Sequence, residues 1–146
     1  MRTPASIKGH PIHAMLVGLP VGLLIFSFVS DLLLVGGLGG ADWAVVARCN
    51  LAAGIVTALL AAVPGLLDYL SLAGRARRVA TWHLLLNLAV IGVFVMDFLL
   101  RLRTDPYDKV PVFFSAVGIA LLAVSGWLGG EMVYRLGVGV DPRPEP

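Results

Sequence analysis

Charge is scarce in this chain of 146 residues: Asp, Glu, Lys and Arg together make up 14%, against about a quarter in ordinary soluble domains. That shortage excludes a fully solvated surface, and with it a conventional soluble enzyme. The formal charge of +2 is too small and too dispersed to suggest a nucleic-acid partner. Cysteine is nearly missing as well. Cys49 stands alone, so an intramolecular disulfide and a Cys-rich metal site are both excluded, and it reads as a small residue near one end of an apolar run. No internal repeat stands out, and no polar stretch is long enough for a soluble domain. The ending Asp141-Pro142-Arg143-Pro144-Glu145-Pro146 reads as an extended tail over 141–146.

What the chain has instead is hydrophobicity: 58% of its residues are apolar and its mean hydropathy is +0.90. Four runs carry it, Ile12 to Val35, Ala44 to Leu70, Val79 to Leu100 and Val110 to Gly130. Each meets the need for about 20 mainly apolar residues to cross a bilayer core. They lack the strict alternation of barrel strands, and only helices otherwise satisfy their own backbone in lipid. The first run is too long for a signal-peptide core and lacks a small-x-small cleavage site, so it reads as a span. The connections Gly36 to Trp43, Ala73 to Arg78 and Arg101 to Lys109 are short, which makes sequence neighbours antiparallel. The expected fold is all-α: an integral-membrane, up-down-up-down four-helix bundle in which residues 1–146 form a single membrane domain.

Four spans put the N-terminus, the second loop and the C-terminus on one side. That side holds Arg2, Lys8, Arg75, Arg77, Arg78, Arg135 and Arg143; the other holds Arg101, Arg103 and Lys109, with Arg48 just inside the second span. The bias places both termini in the cytoplasm. These basic residues are topological signals and contacts for anionic headgroups of the lipid bilayer.

The antiparallel order fixes the depth of each polar residue. His10, His13, Asp68, His83, Asn87, Glu131 and Tyr134 gather in an inner layer, and Asp31, Asn50, Asp97 and Ser115 in an outer one, with Arg48 as the expected counter-charge. Helical periodicity supports the grouping. His13, Pro20, Leu24, Ser27 and Asp31 follow one stripe; Asn50, Gly54, Thr57, Ala61, Pro64 and Asp68 a second; His83, Asn87, Val90, Phe94 and Asp97 a third. Ionisable groups within spans face the bundle interior or water and are candidates for function. Pro20 and Pro64 should bend their helices, while Gly18-x-x-x-Gly22 permits close helix approach. Trp43, Trp82, Trp127, Tyr69 and Tyr107 lie near segment ends as interfacial anchors.

The opening Gly9-His10-Pro11-x-His13-x-x-Leu16-Val17-x-x-Pro20, Gly65-x-x-Asp68, His83, and Ser125-Gly126-x-x-Gly129-Gly130-x-x-Val133-Tyr134 with Gly137-Val138-Gly139-Val140 resemble the bacterial membrane family of domain-of-unknown-function 2231. The resemblance covers nearly the whole chain and implies a protein of the bacterial inner membrane. Similar segments are found joined to Rieske iron–sulfur domains, which implies membrane or redox partners. Many relatives place a histidine before the final Gly-Val-Gly-Val, where this chain has Leu136.

Three functional readings follow. In the first, His13 and His83, on diagonal parallel helices, ligate one haem b iron from opposite sides, with His10 and Asn87 in support, and the protein is an electron-transfer component of a membrane complex. In the second, His10, His13, Asp68, His83 and Glu131 hold zinc, iron or manganese, which would permit a metal-dependent intramembrane hydrolase. In the third, no cofactor is bound and the chain is a structural or accessory subunit, with Asp68 paired to Arg75, and Asp31 or Asp97 to Arg48. A proton path between the layers has mainly Ser27 along the first helix to carry it.

Overall fold

The computed structural model describes residues 3–140. The chain opens with a small antiparallel hairpin, β1 (Ser6–Ile7) and β2 (His10–Pro11). Its two-residue turn uses Lys8 and Gly9 at φ 51° and 84°, the paired positive φ that suits the twist of a tight hairpin. Then follow helices α1 (Ile12–Leu16), α2 (Gly18–Val35), α3 (Asp42–Ser71), α4 (Gly74–Arg101) and α5 (Lys109–Gly130), and a π-helical turn Glu131–Arg135.

The four long apolar runs are helices of sufficient length and hydropathy to span a bilayer, and α2–α3, α4–α5, α3–α4 and α2–α5 pack as neighbours around a ring. The fold is the all-α, up-down bundle the sequence implies. Burial runs opposite to that of a soluble protein. Leu19, Ile25, Phe26, Val63, Leu67 and Trp127 are exposed, while Ser27, Ser30, Asp31, Asp97, Ser115 and Ser125 are buried. Such a surface is stable only with lipid as its solvent, and the polar groups avoid lipid by turning inward.

The termini of the helices have identifiable causes. Pro20 cannot donate to Leu16 and its ring crowds that carbonyl. The first span accordingly breaks at Val17, between α1 and α2, instead of running unbroken from Ile12. At its far end Gly37, φ 70°, closes α2 with hydrogen bonds from Gly37 N to Leu34 O and from Leu38 N to Leu33 O. This is the crossed pair that satisfies the last carbonyls around a left-handed glycine. Asp108 caps α5, its side chain accepting from Val110 N at 2.9 Å.

Most helix boundaries fall within two residues of the sequence expectation, and two differ by more. The third helix begins at Gly74, not Val79, because Ala76 and Ala80 are buried with Leu72 against Tyr69, Met132, Leu136 and Val138. Its basic residues therefore occupy the outward face of a helix rather than a loop. The last helix does not stop at Gly130 but widens into the π-helical turn, with Leu136 N donating five residues back to Glu131 O.

Leu24, Leu51, Val90 and Phe94 form the apolar centre of the bundle. Here α5 approaches α4 closely: a Cβ on Gly118 would lie 2.6 Å from Phe94 Cζ, so only glycine fits opposite that buried ring. The two described ends of the chain meet at one end of the bundle. Ala5 N donates to Asp68 Oδ1 at 2.8 Å, and Gly139 lies against Pro11. The sequence 141–146, read as an extended tail, lies outside the described residues.

Candidate functional site

The apolar centre separates two polar layers. In the layer near the chain ends, His13 of α1 and His83 of α4 approach each other from diagonal helices. Their ring centroids are 6.4 Å apart and their planes stand at 85°. Each ring is held by a main-chain carbonyl on a neighbouring helix. His13 Nδ1 lies 2.7 Å from Ala61 O, and His83 Nδ1 2.9 Å from Ser125 O.

A carbonyl only accepts, so Nδ1 carries a proton in both residues, and in the neutral form of each ring Nε2 is the nitrogen with the lone pair. Main-chain carbonyls holding Nδ1–H are the usual means of orienting an imidazole whose other nitrogen serves as a ligand or base. The local sequence makes both carbonyls reachable. Pro64 interrupts the hydrogen-bond ladder of α3 next to Ala61. Gly65 gives the His13 ring its space, since a Cβ there would lie 2.7 Å from His13 Nδ1. Gly129 plays a looser version of this role beside His83. Ser125, buried, also accepts from His83 Nδ1 through Oγ at 3.1 Å.

Asn87, one turn beyond His83, donates from Nδ2 to His83 Nε2 at 3.1 Å and to His83 O at 2.8 Å. His83 is thus fully hydrogen-bonded, whereas His13 Nε2 has no hydrogen-bond partner among the described residues.

The other residues expected in this layer are engaged elsewhere. His10 is an exposed residue of β2. Asp68 is buried and takes the Ala5 amide, so it latches the N-terminal hairpin and does not pair with Arg75. Glu131 lies 3.6 Å from Arg75 Nη2 and 3.3 Å from Arg135 Nε, both exposed partners whose pairing contributes little. Tyr134 is 90% exposed. Arg77 stacks over Tyr69 at 4.9 Å. Among the described residues no group of three or more His, Cys, Asp or Glu side chains is close enough to hold a metal ion. The structure therefore brings together His13 and His83, with Asn87 beside them, and leaves His10, Asp68 and Glu131 apart.

The layer at the opposite end holds a charged cluster whose key residue the sequence reading missed. Arg101, at the last turn of α4, donates to Asp31 Oδ1 at 2.6 Å and Asp31 Oδ2 at 2.7 Å. It also donates to Asp97 Oδ1 at 2.9 Å. Ser115 bridges the two aspartates. Arg48, the expected counter-charge, makes no ion pair among the described residues; it lines a cavity of about 260 Å³ next to the cluster. The spacing Asp97-x-x-x-Arg101, one helical turn, carried the signal. Asn50, placed in this layer by depth, bonds back to Val46 O on its own helix.

No curated protein and no solved structure matches the chain. A family model does: the one described as a predicted membrane protein, DUF2231, matches residues 9–142. With four spanning helices around two interior polar layers and a match over nearly its whole length, the chain belongs to the DUF2231 family of membrane proteins.

Proposed function

We propose that the His13–His83 pair is the functional centre of the protein and holds a haem b, making the chain a small electron-transfer component of a membrane complex. The observation that carries this reading is the 6.4 Å separation of two imidazoles presented from diagonal helices. Two imidazoles on opposite sides of one iron have ring centres roughly 6 Å apart, from metal–nitrogen bonds of about 2.0 Å plus a ring radius on each side. The donor set fits the group in number as well. A haem iron takes its remaining four ligands from the porphyrin and needs only two from the protein, whereas zinc, iron or manganese bound directly needs three or four. His10, Asp68 and Glu131 are not positioned to complete such a set, which also leaves a hydrolase reading without a third ligand.

In this reading His13 and His83 supply Nε2, and the carbonyls of Ala61 and Ser125 hold the rings in place through Nδ1. Asn87 has to release His83 Nε2 before that nitrogen can ligate. A haem would supply one-electron redox chemistry, and the apolar shell of the bundle would keep it from water. The excess of Lys and Arg on the side of the chain ends supports cytoplasmic termini and an inner-membrane location.

A second reading, a cofactor-free accessory subunit, draws on one observation. Gly18 and Gly22 face outward, with nothing within 4 Å of a Cβ built on either, which leaves a helix-packing surface open on the first span. The experiment that separates the two is a reduced-minus-oxidised absorbance spectrum of protein purified from membranes. An α-band of low-spin haem supports the first reading. A colourless protein that co-purifies with a larger membrane complex supports the second.

A further inference from the structure

We propose that the cluster of Asp31, Asp97, Arg101 and Ser115 is a proton-binding site: one exchangeable proton, shared by the two aspartates, is held there at neutral pH and exchanges through the adjoining cavity. This inference does not depend on the haem reading.

Charge is the first ground. Asp31, Asp97 and Ser115 are 1%, 0% and 0% exposed, and Arg101 is the only cation within ion-pair distance of either carboxylate among the described residues. Two ionised carboxylates against one guanidinium leave an uncompensated negative charge inside a lipid-facing bundle, which is strongly unfavourable.

The count of hydrogens is the second. Ser115 Oγ lies 3.0 Å from Asp31 Oδ2 and 2.7 Å from Asp97 Oδ2, but a hydroxyl has one proton to donate. Arg101 Nη2 lies 2.7 Å from Asp31 Oδ2, 3.2 Å from Asp97 Oδ2 and 3.0 Å from Ser115 Oγ, and it has two. Three hydrogens thus face five close contacts, and at least one oxygen–oxygen contact holds lone pairs on both sides. One proton taken from water onto an aspartate Oδ2 turns that contact into a hydrogen bond to Ser115 Oγ and removes the net charge in the same step.

Access is the third. The cavity of about 260 Å³ is lined by Asp31 and Arg101 and, nearer the surface, by Asp42, Arg48, Asp105 and Asp108. The charged groups facing the site are therefore Asp31 of α2; Asp42 and Arg48 of α3; Asp97 and Arg101 of α4; and Asp105 and Asp108 of the connection before α5, with Ser115 the polar group from α5 itself. The acidic majority around the mouth favours entry of a cation. On the other side Leu24, Leu51, Val90 and Phe94 separate the site from the histidines, so the proton comes and goes at one end of the bundle only.

The test is infrared spectroscopy of the full-length protein in detergent, in H₂O and D₂O, with sodium and with choline in its place. The wild type should show a protonated-carboxyl stretching band at neutral pH that shifts in D₂O and ignores sodium. The band should vanish in both Asp31→Asn and Asp97→Asn, because a neutral amide at either position leaves the other carboxylate balanced by Arg101. Ser115→Ala, which keeps the charges, should keep the band at a shifted frequency. The wild-type measurement stands by itself if a variant does not fold. Absence of the band in the wild type, its survival in both asparagine variants, or its appearance only when sodium is withdrawn would each overturn the proposal, the last by showing that the oxygens hold a metal cation instead.

Discussion

Arg101 reaches Asp31, 70 residues earlier in the chain, through two short hydrogen bonds of 2.6 and 2.7 Å, and so ties the far end of the third span to that of the first. The two carboxylate oxygens and the fork of the guanidinium match, the geometry in which an ion pair is strongest. The expected outcome of removing the charge is severe. Arg101→Gln leaves Asp31 and Asp97 buried without a cation, a loss of roughly 3–5 kcal/mol, whereas Arg48→Gln should change stability by no more than about 0.5 kcal/mol. Unfolding followed by circular dichroism in detergent compares them directly; equal effects would restore Arg48 as the counter-charge.

Close approach of α4 and α5 at Gly118 yields a packing prediction. A methyl group there meets Phe94, which is 1% exposed and has no room to retreat. Gly118→Ala should destabilise the bundle by about 1–3 kcal/mol. Gly126→Ala on the same helix, with nothing within 4 Å of its Cβ position, serves as the control and should shift stability by about 0.5 kcal/mol or less.

Asp68 holds the N-terminal hairpin to the end of α3 through the Ala5 amide. Removing the carboxylate in Asp68→Ala forfeits a charge-assisted hydrogen bond at a buried site, roughly 1–3 kcal/mol. Its effect should be local: faster amide exchange and protease cleavage within residues 3–11, with the four spans unchanged. A variant whose hairpin stays as protected as in the wild type would show that the latch lies elsewhere.

The sequence was a good guide wherever periodicity and depth decide the outcome. The stripes Leu24–Ser27–Asp31, Gly54–Ala61–Pro64–Asp68 and Val90–Phe94–Asp97 are buried as helical spacing and the cost of polar groups in lipid require. The same two rules set His13 opposite His83. What they could not supply was the choice of partner. Asp68 bonds a main-chain amide, and main-chain groups leave no mark on residue type. Hydropathy ends the third span at Leu100 and so leaves Arg101, the last residue of the helix, in the loop, although its one-turn spacing from Asp97 is visible in the sequence. His10 and Glu131 share the depth of the histidine pair but not its facing: one sits in a hairpin, the other in a π-helical turn, and straight-helix periodicity describes neither.

Asn87 offers a finer prediction about the histidine pair. Its Nδ2 occupies the His83 Nε2 lone pair, so a ligand that uses that nitrogen competes with the amide. Asn87→Ala should therefore bind haem at least as tightly as the wild type, as measured by equilibrium absorbance titration, while a weaker affinity would assign Asn87 a supporting contact with the bound group.

The most direct measurement for the central claim is a haem titration of the purified protein alongside His13→Ala and His83→Ala, read by absorbance. Ligation of one iron by both imidazoles predicts saturation at one haem per chain with a low-spin spectrum in the wild type, and loss of that spectrum in each variant. A wild type that binds no haem, or variants that bind it with the same spectrum and stoichiometry, would contradict the assignment of His13 and His83 as its ligands.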